Sequence, residues 1–263
     1  HPPDPAPAGA PVTAASRARF AEVVRAEPVD VGLAAALIAA EVEPGLEVDA
    51  CLATLDQLAR RADVVTGLRP EHRLRLALTG YLGETNFNGD EVDWDDVRSS
   101  LLPDVLARKR GLPLLLCVVW SEVARRCGVP SSYGVIPGRV VVVVNERLAF
   151  DPYANEFLGG PVESLTPHEV LLRLLTNIRA LTLRLPPSLE VARTRLWAVE
   201  LSLLLPVHPV ELRRERGELL VRLGRHVEGA EELEAFAAVV EGAEPDVAEL
   251  CLREARQARA RLN

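Results

Sequence analysis

Methionine is absent from all 263 residues, and lysine occurs once, as Lys109, beside 29 arginines. The first absence makes a trimmed N-terminus the expectation; the second reflects coding composition and carries no mechanistic weight. Cysteine is sparse. Cys51, Cys117, Cys127 and Cys251 lie far apart with no C-x-x-C pair, which fits neither a zinc ligand set nor a dense disulfide framework and favours a reducing compartment. No apolar run approaches the roughly 18 residues needed to cross a bilayer. The opening HPPDPAPAGAP lacks the basic start and greasy centre of a signal peptide, so the expected location is cytoplasmic, with no membrane partner. Positive charge is not in excess either. Lys plus Arg number 30 against 38 Asp plus Glu, a formal charge of -8, which disfavours a phosphate-tracking surface and nucleic acid as a partner.

What is present is an ordinary globular mixture, 48% hydrophobic and 26% charged, long enough to remove roughly 70 to 75% of the unfolded surface from water. Residues 1–14 are set aside as a disordered tail. SRARFAEVVRA, 16–26, has a capping serine and Phe20, Val23 and Val24 on one face, with Pro28 as a stop. VDVGLAAALIAAEVEP follows with Asp30 as cap, and EVDACLATLDQLARRADVV puts Val48, Cys51, Leu52, Leu55 and Leu58 on one stripe. RPEHRLRLALTGYLGE reads as a fourth helix, between Pro70 and Gly83. Residues 84–96, ETNFNGDEVDWDD, carry Asn, Gly and six acids and read as a loop. Asn86, Asn88 and Asp90 suggest calcium, but Gly89 sits inside that set instead of after its third member, so a solvated turn with helix-capping acids is expected.

SLLPDVLARKR and LPLLLCVVWSEVARRCG come next, the second apolar nearly all round and therefore a buried helix, ended by Gly128. β-branched runs then predict a strand at Val140 to Val144, a turn at 145–147 and a returning strand at Leu148 to Phe150. From Thr166 onward five amphipathic stretches follow with short Gly or Pro breaks. Pro209 and Pro245 are 36 apart, and RGELLVRLGRHVEGAEELEAF has the small and large residues of a tetratricopeptide hairpin, whose period is about 34. The expected fold class is α+β: a disordered 1–14, a helical region and mixed core over 15–165, and a tetratricopeptide-like helical domain over 166–263.

LLPDVLARKRGLP, LLLCVVWSEVARRCGVPSSYGVIPGR, AFDPY and GGPVESLTPHEV, in that order, resemble the SirB-type branch of the transglutaminase-like superfamily, from about Tyr81 to the C-terminus. The resemblance implies a papain-like core in which a cysteine at the start of the central helix, a histidine on the following strand and an aspartate on the next carry acyl transfer: thiolate attacks, imidazole moves the proton, carboxylate orients the ring. Where active relatives read Gly-x-Cys, this chain reads Gly111-Leu112-Pro113, placing Pro113 at the nucleophile position. Where they read Pro-Gly-His, it has Pro137-Gly138-Arg139, and a guanidinium that stays protonated is no general base. Asp151 matches the third member.

Cys117, one helical turn beyond Pro113, is the alternative nucleophile, but its leucine and valine neighbours favour a buried, inert thiol. Arg139 and Asp151 are expected to form an ion pair in which each would leave a partly buried charge if the other were removed; binding of an anion by Arg139 is the alternative. His72, His168, His208 and His226 stand at no ligand spacing. Arg108-Lys109-Arg110 reads as a helix C-terminal charge set. No cofactor or metal is implied. The expected function is a non-catalytic interaction or scaffold protein whose helical tail meets a protein partner. Its rivals are a cysteine-dependent acyl-transfer or peptidase enzyme using Cys117, and a protein whose tail only packs on its own core.

Overall fold

The computed structural model describes residues 10–64, 69, 72, 74–75 and 87–261. The helix expected between Pro70 and Gly83 lies largely outside them. The chain divides into two compact units at Leu174 and Leu175, nine residues beyond the boundary expected at 165.

The first unit opens with α1 (Ala10–Val23). This helix starts inside the stretch expected to be a tail and takes Ser16 into its interior instead of using it as a cap. α2 (Val31–Ala39) begins where Asp30 accepts a hydrogen bond from the Leu33 amide at 2.9 Å. Its sequence, VGLAAALIA, is apolar throughout, and eight of its nine residues are buried, as an all-round apolar helix must be. α3 (Val48–Val64) is amphipathic and buries Cys51, Leu55 and Leu58. A short 3-10 turn (Val97–Ser100), capped by Asp96, leads into α4 (Leu102–Arg108) and then α5 (Pro113–Arg126).

Every residue of α5 from Leu114 to Ala124 is buried. α2, α3 and α4 pack around it, and β1 and β2 lie against it, which is why the sequence from Leu114 to Trp120 is apolar on every side. It ends at Cys127 with paired bonds, Gly128 N to Arg125 O at 3.1 Å and Val129 N to Ala124 O at 2.9 Å, the double closure that satisfies the last carbonyls of a helix.

An antiparallel sheet follows: β1 (Ser131–Ile136), β2 (Arg139–Val144), β3 (Leu148–Asp151), β4 (Glu156–Leu158) and β5 (Glu163–Leu165), in the spatial order β4-β3-β2-β1-β5. The β1–β2 connection is Pro137-Gly138, with Gly138 at φ +76, the proline-then-left-handed pair of a tight turn. The β2–β3 connection places Asn145 and Glu146 both at positive φ, with the Arg147 amide bonded to Val144 O at 3.2 Å, a turn whose twist matches that of the strands it joins. The register aligns Leu165, Tyr133, Val142, Phe150 and Phe157 in one row across all five strands. Trp120 of α5 packs on Phe150 with ring centroids 4.6 Å apart, so the central helix is seated on an apolar strip of paired side chains. α6 (Pro167–Arg184) begins in this unit, where His168 Nε2 lies 2.6 Å from Val24 O.

The second unit is helical. It holds the end of α6 and then α7 (Leu189–Leu204), α8 (Glu211–Arg222), α9 (His226–Val240) and α10 (Pro245–Ala260). α8 packs on α9 and α9 on α10. The α8–α9 approach is close because two glycines face each other. A Cβ on Gly229 would stand 2.8 Å from Gly217 O and 2.9 Å from Val221 N, so only hydrogen fits between those backbones. Ion pairs tie helices across the surface: Glu215 meets both Arg179 and Arg195, and Arg216 meets both Glu200 and Glu232. Among the described residues no helix is long and apolar enough to cross a membrane.

Candidate functional site

The second turn of α5 meets the start of β2 through Cys117 and Val140, and the start of β2 meets the end of β3 through Arg139 and Asp151. Pro113 is the first residue of α5, preceded by Leu112, whose amide is bonded to Ser99 O at 3.0 Å. A proline there costs the helix nothing, because the first-turn amide has no intrahelical acceptor and the ring pre-sets φ. It also brings no nucleophile.

Cys117 lies one turn further on. It is fully buried, and its thiol donates to Val140 O at 3.6 Å. Burial pushes the thiol well above the ordinary range, and the negative charge of Asp151 adds to the rise. A thiolate is therefore disfavoured twice over, by desolvation and by a like charge. The hydrogen bond runs to a backbone carbonyl, and no contact with an imidazole is present among the described residues.

Arg139 and Asp151 are brought together. Asp151 ends β3 with its side chain 6% exposed, and Arg139 Nη1 lies 3.3 Å from its Oδ2. The other carboxylate oxygen, Oδ1, accepts from the backbone amides of Tyr153 at 2.9 Å and Ala154 at 3.2 Å. One oxygen thus fixes the turn after β3 and the other faces the residue at position 139.

The pair forms, and it is lopsided in burial. The Arg139 side chain is 44% exposed, so it keeps much of its hydration, whereas Asp151 does not. Arg139 also makes a short contact with Glu156, and Glu156, first by its hydrogen bond and charge and then Asp151, raises the guanidinium's affinity for its proton further. The sequence reading missed Glu156. The β3–β4 register sets it directly opposite Asp151, but β4 has only three residues, too few to show an alternation.

The other three thiols lie elsewhere in the fold. Cys51 is buried in α3 and its thiol is pushed up to about 11, chiefly by burial, with Arg126 working the other way. Cys127 donates to Ala59 O at 3.5 Å, and Cys251 is buried in the second unit. Among the described residues no group of three or more His, Cys, Asp or Glu side chains is placed to hold a metal ion. In the loop expected to be a solvated turn, Asp96 caps the 3-10 helix through the Arg98 amide and binds Arg108 at 2.7 Å. Asn88 Oδ1 accepts from the Asp90 amide, so its oxygen closes a turn.

Comparison with known proteins places these segments. A family model described as the transglutaminase-like superfamily matches residues 49–186, which takes in α3 to α6 and the whole sheet. A UPF0162 protein of Pseudomonas aeruginosa is 32% identical over 177 residues, covering 59% of this chain and 66% of the relative. UPF0162 proteins of Xylella fastidiosa strains Temecula1 and 9a5c are 29% and 30% identical, each over 55% of this chain and 59% of their own length. The chain therefore spans less than two thirds of the curated relatives it matches. No solved structure matches it significantly.

Proposed function

From the premise that the chain belongs to the transglutaminase-like superfamily, we propose that it is a non-catalytic member of that superfamily, of the SirB-type branch, acting as a protein-interaction or scaffold module. One observation carries the reading. The buried carboxylate that would orient an imidazole is engaged instead by a guanidinium, which a second carboxylate also holds. Acyl transfer needs a group that accepts a proton and returns it, and a guanidinium held between two anions does neither.

Pro113 supports the same reading, since the start of the central helix carries a ring where a thiol is needed. Cys117 supports it by its burial and by its bond to a carbonyl. Two carboxylates around one guanidinium also leave the cluster with a net charge of -1, which speaks against Arg139 as an anion receptor. In the second unit, the α8–α9 contact through Gly217 and Gly229 supports a tetratricopeptide-like hairpin, a shape used to hold protein partners.

The rival is a cysteine-dependent enzyme working through Cys117. Incubation of the native full chain and of Cys117→Ala with a chloroacetamide activity probe at pH 7.5, followed by mass spectrometry, separates the two. The module reading expects no Cys117 adduct until the protein is denatured. Rapid labelling of the native chain at Cys117, lost in the variant and accompanied by turnover of an acyl ester, overturns it.

A further inference from the structure

We propose that Asn88-Gly89 is a site of spontaneous covalent modification, at which Asn88 converts to aspartate and isoaspartate when Tyr153 lifts away from Gly89. Asn88 is the one asparagine of the chain followed by glycine. A glycine in that place leaves its backbone nitrogen unhindered and the main chain free to bring it against the side-chain amide carbon. The reaction needs only water. The Gly89 nitrogen bonds to Asn88 Cγ, the Cγ–Nδ2 bond breaks, and the Gly89 amide proton departs with the leaving group as ammonia. Water then opens the cyclic imide. Cleavage at Cγ gives aspartate; cleavage at the backbone carbonyl carbon gives isoaspartate, with the main chain rerouted through the side chain.

The fold requires that glycine and at the same time restrains its reaction. A Cβ on Gly89 would stand 2.0 Å from Tyr153 Cε2, so the packing of the ring admits no side chain there. Asn88 Oδ1 accepts from the Asp90 amide at 2.9 Å, the turn-closing bond for which asparagine is suited. The same contacts fix the reacting atoms. Asn88 is 7% exposed, its amide donates to Lys109 O at 3.3 Å, and the Gly89 amide donates to Tyr153 O at 3.4 Å. The attacking nitrogen thus keeps its proton in a hydrogen bond, the backbone is pinned on both sides of the reacting carbon, and water has little access. Tyr153 is itself tied to the end of β3, its amide donating to Asp151 Oδ1 at 2.9 Å. Conversion therefore waits on a local opening of this loop.

The isoaspartyl product does not fit the closed loop. It inserts one main-chain carbon between the Asn88 and Gly89 amides, so the bonds to Lys109 O and Tyr153 O, one on each side of the insertion, can no longer be made together. The loop then parts from the turn after β3. Because the imide opens without returning ammonia, the change outlasts the opening that allowed it.

The test compares the native full chain, Tyr153→Ala, Tyr153→Phe and a synthetic peptide of residues 86–93, all incubated at mildly alkaline pH. Mass spectrometry of tryptic fragments reads conversion at Asn88 from the amide-to-acid mass gain, and labelling by isoaspartyl methyltransferase measures the isoaspartate. The native chain should convert at least about tenfold more slowly than the peptide, and Tyr153→Ala should convert within about threefold of the peptide's rate. Tyr153→Phe keeps the ring and should behave as the native chain does. If Tyr153→Ala does not fold, urea below the native chain's unfolding midpoint supplies the second reading: conversion should rise there while the far-ultraviolet circular dichroism stays native. A native chain that converts as fast as the peptide overturns the restraint, as does a folded Tyr153→Ala that converts as slowly as the native chain, or a rate that urea leaves unchanged. A peptide that does not convert at Asn88 overturns the site itself. In the isoaspartyl fraction the Gly89 amide should lose its protection against hydrogen exchange, and retained protection would show that the loop stays closed on the product.

Discussion

Asp151 holds more together than its surface partner does. Its Oδ1 closes the turn into β4 through two amides and its Oδ2 faces Arg139, and all of this takes place with the side chain nearly out of water. Replacement by alanine removes the charge-assisted bonds to the Tyr153 and Ala154 amides, while Arg139 keeps Glu156, and should lower unfolding stability by about 2–4 kcal/mol. Arg139→Gln removes a half-exposed group and leaves Asp151 its two amides, so its effect should be much the smaller. Urea unfolding of the two variants, compared at equal slope, checks the order; equal losses would mean that the ion pair, and not the turn, fixes Asp151. The positions of Arg139 and Asp151 were legible in the sequence because each stands in a short string of distinctive neighbours, Pro137-Gly138-Arg139 and Phe150-Asp151-Pro152. Glu156 was not legible, because its partnership arises from pairing across a four-residue turn and no local pattern encodes register.

Among the elements, the buried helix α5 and the β2–β3 hairpin were readable because each is long enough to display a period: eleven consecutive buried residues in the one, a run of valines bounded by a turn in the other. β4 and β5, with three residues each, have no period to display, and their pairing is decided by neighbours distant in sequence. The first helix misled for a different reason. Ser16 has the chemistry of a cap, but Ala14 and Ala15 before it are good helix formers and Pro11 suits a first turn, so the helix runs back to Ala10. In the helical unit the two facing glycines give a sharp prediction. At Gly229 a new Cβ would meet the Val221 side chain at 2.6 Å and, just behind it, two backbone atoms, Gly217 O at 2.8 Å and Val221 N at 2.9 Å, which cannot swing aside. Gly229→Ala should therefore force α8 and α9 apart and destabilise by about 1–3 kcal/mol, against the gain of about 1 kcal/mol expected for alanine in an open helix. Thermal and urea melts of the variant would decide; a neutral or stabilising result would mean that the helices can slide without loss.

For the molecule as a whole, the division between the two compact units falls within the sequence of α6, and a cut at 165 falls before that helix. Val170, Leu171 and Leu174 are buried within the first unit's span, and His168 reaches Val24 O. A fragment ending at residue 165 should accordingly aggregate or melt without a cooperative transition, while one ending at 186, where the superfamily match also ends, should melt cooperatively. Light scattering and calorimetry of both fragments would settle the matter, and indistinguishable behaviour would show that the start of α6 adds nothing to the core. The boundary was hidden in the sequence because the chain crosses it in mid-helix, with no proline, glycine or change of composition to mark it.

The ordering of the strands has one further result. Both margins of the sheet are closed by its briefest members, Glu156–Leu158 on one side and Glu163–Leu165 on the other. A foreign polypeptide seeking to extend the ladder would find a template only three residues long at either border, too little to nucleate stacking between molecules. The valine-rich β2, the segment best suited to fibril growth by composition, is screened by a neighbour on each side. This placement gives the fold an inbuilt resistance to self-polymerisation.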